Sequence, residues 1–114
     1  MQSIYQQTIN NSYSFEGASL HSGEFSKITL HPSSENTGIR FKRVDSKLSV
    51  NDSIIDVSFK NIKTSQLCTT IENKHGLSVS TIEHLMAALH AFGIDNLLID
   101  IDSSEMPILD GSSI

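Results

Sequence analysis

Ser80-Thr81-Ile82-Glu83-His84-Leu85-Met86-Ala87-Ala88-Leu89, continuing through His90-Ala91-Phe92-Gly93-Ile94-Asp95-Asn96, is the stretch from which the fold is read. Ser80 with Glu83 three residues later forms an S-x-x-E capping box, Ala and Leu fill the interior, and Gly93 stands where a helix ends in a left-handed residue. At about 100° per residue, Ile82, Leu85, Met86, Leu89 and Phe92 share one stripe. Glu83 and His84 lie off that stripe. A carboxylate and an imidazole are therefore presented side by side at the start of the helix, on a side that need not be buried.

Chemically the pair suits two jobs at once, with His84 as a neutral nitrogen ligand for a metal and Glu83 as a base for water held on it. The plainer alternative stands beside this one. A capping box explains its own Glu, acidic side chains favour a helix N-terminus, and a lone surface His is commonly no more than that. No H-E-x-x-H is present. His84 and His90 stand about 120° apart on the wheel, so this helix does not supply a chelating pair.

Working outward, 114 residues with 38% apolar content make one domain, 1–114, with a modest core. No run approaches the roughly 18 to 20 apolar residues of a membrane span. Met1-Gln2-Ser3-Ile4-Tyr5-Gln6 has neither the basic start nor the apolar run of a secretory signal, and one cysteine, Cys68, fits a reducing compartment. A cytoplasmic protein is expected. Eight basic against 13 acidic residues, with a basic cluster only at Arg40, Lys42 and Arg43, argue against a nucleic-acid partner.

Along the chain, Thr8 to Glu16 reads as a first strand and Phe25 to Leu30 as a second, joined through a turn at Leu20-His21-Ser22-Gly23 into a hairpin. Ile39 to Val44 alternates apolar residues with cations, which predicts a half-buried strand with a solvated basic face. Ile55 to Phe59 repeats the pattern, Leu67 to Ile71 is a β-branched strand, and Leu77 to Val79 leads into the helix. Asn96 to Asp102 is an apolar strand. The expected class is α+β, a two-layer sandwich of a mainly antiparallel or mixed sheet with the helix packed on one face. Asp110-Gly111-Ser112 reads as a turn into a further element.

Six phrases taken together resemble one family: Leu20-His21-Ser22-Gly23, Asn36-Thr37-Gly38-Ile39-Arg40-Phe41-Lys42-Arg43, Leu67-Cys68-Thr69, Ser80 to Leu89, Gly93-Ile94-Asp95-Asn96, and Glu105-Met106-Pro107-Ile108-Leu109-Asp110-Gly111-Ser112. In this order they are similar to the amino-terminal domain of UDP-3-O-acyl-N-acetylglucosamine deacetylase, the zinc hydrolase that commits Gram-negative bacteria to lipid A synthesis. The resemblance implies a Zn2+ amidase that removes acetyl from the glucosamine nitrogen of a nucleotide sugar. It implies Glu83 as general base and His84 as a zinc ligand. Leu67 and Cys68 match a segment near the metal, and His21 matches a His of the active-site neighbourhood.

For Cys68 a small buried strand residue is the alternative, for His21 a plain turn residue, and for Asp110 a helix N-cap or turn. Catalytic zinc takes about three protein ligands, so the resemblance implies that a carboxy-terminal domain, with the other ligands and much of the substrate site, is absent. The chain alone is then expected to be inactive, with part of its sheet face uncovered. Two other readings are a non-enzymatic module that binds through that face, and a metal shared between two copies by His84, Cys68 or His21.

Overall fold

Leu97–Ile101 is the strand from which the larger sheet is built, because it is apolar on both sides of a central position. In the computed structural model, which describes residues 5–108, the strands are β1 (Tyr13–Ala18), β2 (Phe25–Pro32), β3 (Ile39–Arg43), β4 (Ile54–Asp56), β5 (Ile62–Thr64), β6 (Thr69–Glu72), β7 (Ser78–Ser80) and β8 (Leu97–Ile101), with one helix, α1 (Glu83–Ala91), between β7 and β8. A five-stranded sheet runs β1-β2-β8-β3-β4 and a three-stranded sheet β5-β6-β7. The class is α+β. The expected hairpin is present as antiparallel β1 and β2, and β8 pairs antiparallel with β2 but parallel with β3. A parallel neighbour cannot be reached by a tight turn. The crossover from β3 to β8 therefore carries β4, the whole second sheet and α1.

Alternation places Ile28, Phe41, Ile55, Leu97, Ile99 and Ile101 on one face, all fully buried, and Ile82, Leu85 and Leu89 of the helical segment join the same core with Ile71 and Val79 of the second sheet. The opposite face is polar, with His31 Nε2 bonded to Asp100 Oδ2 at 2.9 Å and Lys42 Nζ 3.5 Å from Asp100 Oδ1. The basic face of β3 is not simply solvated. On it Lys42 nears Asp100 and Arg40 Nη2 donates to Ser33 Oγ at 3.3 Å, while Arg43, on the Phe41 side at the strand end, binds both carboxylate oxygens of Asp45 and the carbonyl of Ser78 in the second sheet.

Several boundaries move, each for a tertiary reason. Thr8 to Ser12 is not strand, because its neighbourhood is held by the loop before β8: Asp95 and Asn96 N–H donate to the Gln7 carbonyl at 2.9 and 3.1 Å, and Thr8 Oγ1 donates to the Asn96 carbonyl at 2.6 Å. Buried Asn96 also accepts the Gly38 N–H at 2.9 Å, which joins two of the quoted phrases at one side chain. Val57 to Phe59 leaves the sheet and Phe59–Asn61 forms a 3-10 turn. Leu67 and Cys68 precede β6 instead of belonging to it, and residues 78–80 are a strand. Phe92, expected on the buried stripe, is 81% exposed because the helix ends at Ala91 and Phe92 is its C-cap. Gly93 is left-handed as expected, at φ 70°. Asp110 and Ser112 lie outside the described residues.

Ile99→Ala, on the buried face of the central strand, should cost about 2–5 kcal/mol, and Leu98→Ala, on the polar face, clearly less. Urea midpoints of the two variants check this. Equal losses would put the core on the wrong face.

Candidate active site

The capping box is not formed. Ser80 is the last residue of β7, where its N–H donates to the Ser104 carbonyl at 2.8 Å and its own carbonyl accepts the Met106 N–H at 3.0 Å. Helix α1 begins at Glu83, its N-cap is Ile82, and no side chain caps it. The chain changes direction at Thr81, which takes φ 62°. A left-handed β-branched residue is rare and costs about 1–2 kcal/mol. Hydrogen bonds from Thr81 N–H and Ile82 N–H to the Thr69 carbonyl, at 2.9 and 3.4 Å, hold the bend.

Its consequence is the placement of Glu83. Freed from capping, the half-buried carboxylate lies beside the segment Leu67-Cys68-Thr69, with Oε1 3.5 Å from the Thr69 N–H, at the long end of hydrogen-bond range. Leu67 and Cys68 are shaped by Ser65, whose Oγ accepts both their N–H groups at 3.2 Å. Leu67 is exposed. Cys68 is half-buried, a free thiol in a turn and not the buried strand residue of the alternative reading. His84, next to Glu83 in the first turn, is exposed.

His21 reaches the same region through its backbone. Its N–H and that of Ser22 donate to the two carboxylate oxygens of Glu105, at 2.8 and 2.9 Å, while Thr81 Oγ1 donates to Oε2 at 3.2 Å. One carboxylate thus joins the turn carrying His21 to the bend that launches the helix. Glu105 is only 5% exposed. Burial pushes its carboxyl up, but the N–H groups of His21 and Ser22 and the hydroxyls of Ser22 and Thr81 outweigh burial and hold it below the ordinary glutamate value. Sequence reasoning passed over Glu105. The available signal was a charged residue set against Met106-Pro107-Ile108, since a charge carried into an apolar run needs partners.

The donor types fit one corner of a zinc site: an exposed imidazole on the residue after a half-buried carboxylate. Among the described residues, no three His, Cys, Asp or Glu side chains come together to hold a metal ion.

The family model described as UDP-3-O-acyl N-acetylglycosamine deacetylase matches residues 6–114. Proteins named UDP-3-O-acyl-N-acetylglucosamine deacetylase are similar over nearly all of this chain. That of Wigglesworthia glossinidia brevipalpis is 47% identical over 110 residues, 96% of this chain and 36% of its own length. That of Colwellia psychrerythraea is 44% identical over 113 residues, 97% of this chain and 35% of its own. That of Pseudoalteromonas translucida is 47% identical, again over 97% of this chain and 36% of its own. The chain spans about a third of the length of these relatives.

Because the folded Glu105 carboxyl titrates below its unfolded counterpart, the unfolded chain takes up the proton first as pH falls. The stabilisation is whole above the ordinary value of about 4.3 and is lost as pH drops through the folded value. Stability measured by urea unfolding between about pH 5 and pH 3 should therefore fall less steeply in Glu105→Gln than in wild type. Identical slopes would show that this carboxylate is not held as described.

Proposed function

Because this chain belongs to the UDP-3-O-acyl N-acetylglycosamine deacetylase family, we propose that it forms the proton-handling part of a zinc amidohydrolase. The substrate is UDP-3-O-acyl-N-acetylglucosamine, the reaction is loss of its acetyl group, and the setting is cytoplasmic lipid A synthesis at its committed step. The observation that supports this most is local: the capping box, which would have tied the Glu83 side chain to the helix start, is absent. What is left is a half-buried carboxylate facing a turn, with an exposed imidazole beside it.

In this scheme His84 would hold zinc through an imidazole nitrogen. The metal, when bound, supplies a Lewis acid for the amide carbonyl and an acidified water. Glu83 would take the proton of the attacking water on a carboxylate oxygen as the carbon–oxygen bond forms and the carbonyl electron pair moves onto oxygen; the carbon–nitrogen bond then breaks, releasing acetate and the amine, whose nitrogen takes that proton. The Thr69 N–H, aimed at Oε1, keeps that carboxylate turned toward Leu67 and Cys68. These two, with His21, line the substrate side. A two-layer arrangement, with α1 against one sheet face, leaves the first turn of the helix at the edge of the domain. One ligand is too few for a catalytic zinc. The remaining ligands come from the two-thirds of the relatives' length that this chain does not span, and the chain by itself is inactive.

In the full-length protein, Glu83→Gln should keep fold and zinc while lowering turnover of the acetylated nucleotide sugar by about 10²- to 10⁴-fold. Steady-state deacetylation assays test it. Turnover at the wild-type rate would remove Glu83 from the chemistry.

A further inference from the structure

We propose that Glu105 is a positioning residue for the reaction: by holding the left-handed Thr81 and the His21–Ser22 turn on one buried carboxylate, it sets the angle at which α1 presents Glu83 and His84. This rests on the reading of those two residues as base and ligand.

The geometry has two halves. On its side-chain end, Glu105 accepts from His21 N–H, Ser22 N–H and Thr81 Oγ1. At its main-chain end the carbonyl of Glu105 accepts from Ser19 Oγ at 3.1 Å, Ser26 Oγ at 2.9 Å and Ser103 Oγ at 3.0 Å, in a buried hydroxyl cluster that also includes the short Ser26–Ser103 contact. The residue is thus tied to the β1–β2 hairpin at both ends, and its carboxylate also reaches the entry of the helix. Backbone bonds on either side reinforce it, since Ser80 pairs with Ser104 and Met106 around Glu105 and Ser19 bridges to Pro107.

Thr81 is where this anchoring acts on the site. Its φ of 62° sends the chain out of β7, and the next residues, Ile82 and Glu83, inherit their direction from it. Two groups fix the bend: the Thr69 carbonyl accepts from the Thr81 N–H, and the Glu105 carboxylate accepts from its hydroxyl. Thr69 is also the residue whose N–H faces Glu83. A carboxylate whose oxygens accept from both sides cannot be replaced by an amide without turning an N–H2 group toward a donor. The neutral isostere therefore releases one partner while keeping the volume.

The test is a double-mutant cycle in the full-length protein, comparing wild type, Glu105→Gln, Glu83→Gln and the double variant, with kcat, KM, thermal midpoint and amide exchange at residues 81–84. A misplacement of reacting groups by a fraction of an ångström to 1 Å predicts a kcat about 10- to 100-fold lower for Glu105→Gln, with KM little changed and faster exchange at residues 81–84. The double variant should lose less than the product of the two single losses, because Glu105 acts in part through Glu83. Wild-type kcat in a folded Glu105→Gln, or losses that multiply in the double variant, would overturn the proposal. Should Glu105→Gln fail to fold, Thr81→Val, which removes only the hydroxyl donor, takes its place in the same cycle. Wild-type turnover in Glu83→Gln would instead sink the reading underneath, and the proposal with it.

Discussion

A parallel pair inside an otherwise antiparallel sheet obliges the chain to leave the sheet and return on the same side. Here the pair is β3 and β8, and the excursion between them runs from β4 through the second sheet and α1. Everything assigned to the chemistry lies on that excursion or is fastened to it. Ile82, Leu85 and Leu89 hold the helix in the core shared with Ile99 and Ile101, so the body of the helix is held against the sheet by residues other than Glu83 and His84. Because the core face and the proposed reacting residues are on different sides of the helix, each can change without disturbing the other.

The crossover alone would leave the start of α1 loosely defined, because nothing caps it. Definition comes instead from a buried anion. Removing Glu105 from water is unfavourable, and the carboxylate is tolerated because backbone N–H groups and hydroxyls of otherwise separate segments point at it. The first hairpin, the helix entry and the stretch after β8 are therefore fixed together. Their joint geometry explains how phrases separated by tens of residues converge on one small region.

Strands long enough to alternate were legible. Ile28, Phe41, Ile99 and Ile101 announce β2, β3 and β8 by period-two burial, and the hairpin and the end of the helix at Gly93 follow from turn chemistry. The second sheet was not legible as a sheet, because β5 and β7 are three residues each and too short to show a period. Ser80 misled for a different reason: its backbone pairs with Ser104 and Met106, and that long-range pairing displaces the local box. In the candidate site, the placement of Glu83 and His84 off the apolar stripe could be read from spacing, while their chemistry rested on the family resemblance. Glu105 was hidden because its partners, two backbone N–H groups and the hydroxyls of Ser22 and Thr81, come from segments that no sequence pattern brings together.

The central claim is that this chain contributes His84 as one ligand to a zinc centre completed elsewhere in the protein. Zinc content after dialysis against a weak chelator tests it, measured on the 114-residue chain, on the full-length protein and on full-length His84→Ala. The account predicts none on the chain alone, about one per full-length chain, and loss of most of it in His84→Ala. About one zinc on the short chain, or an undiminished content in full-length His84→Ala, would contradict it.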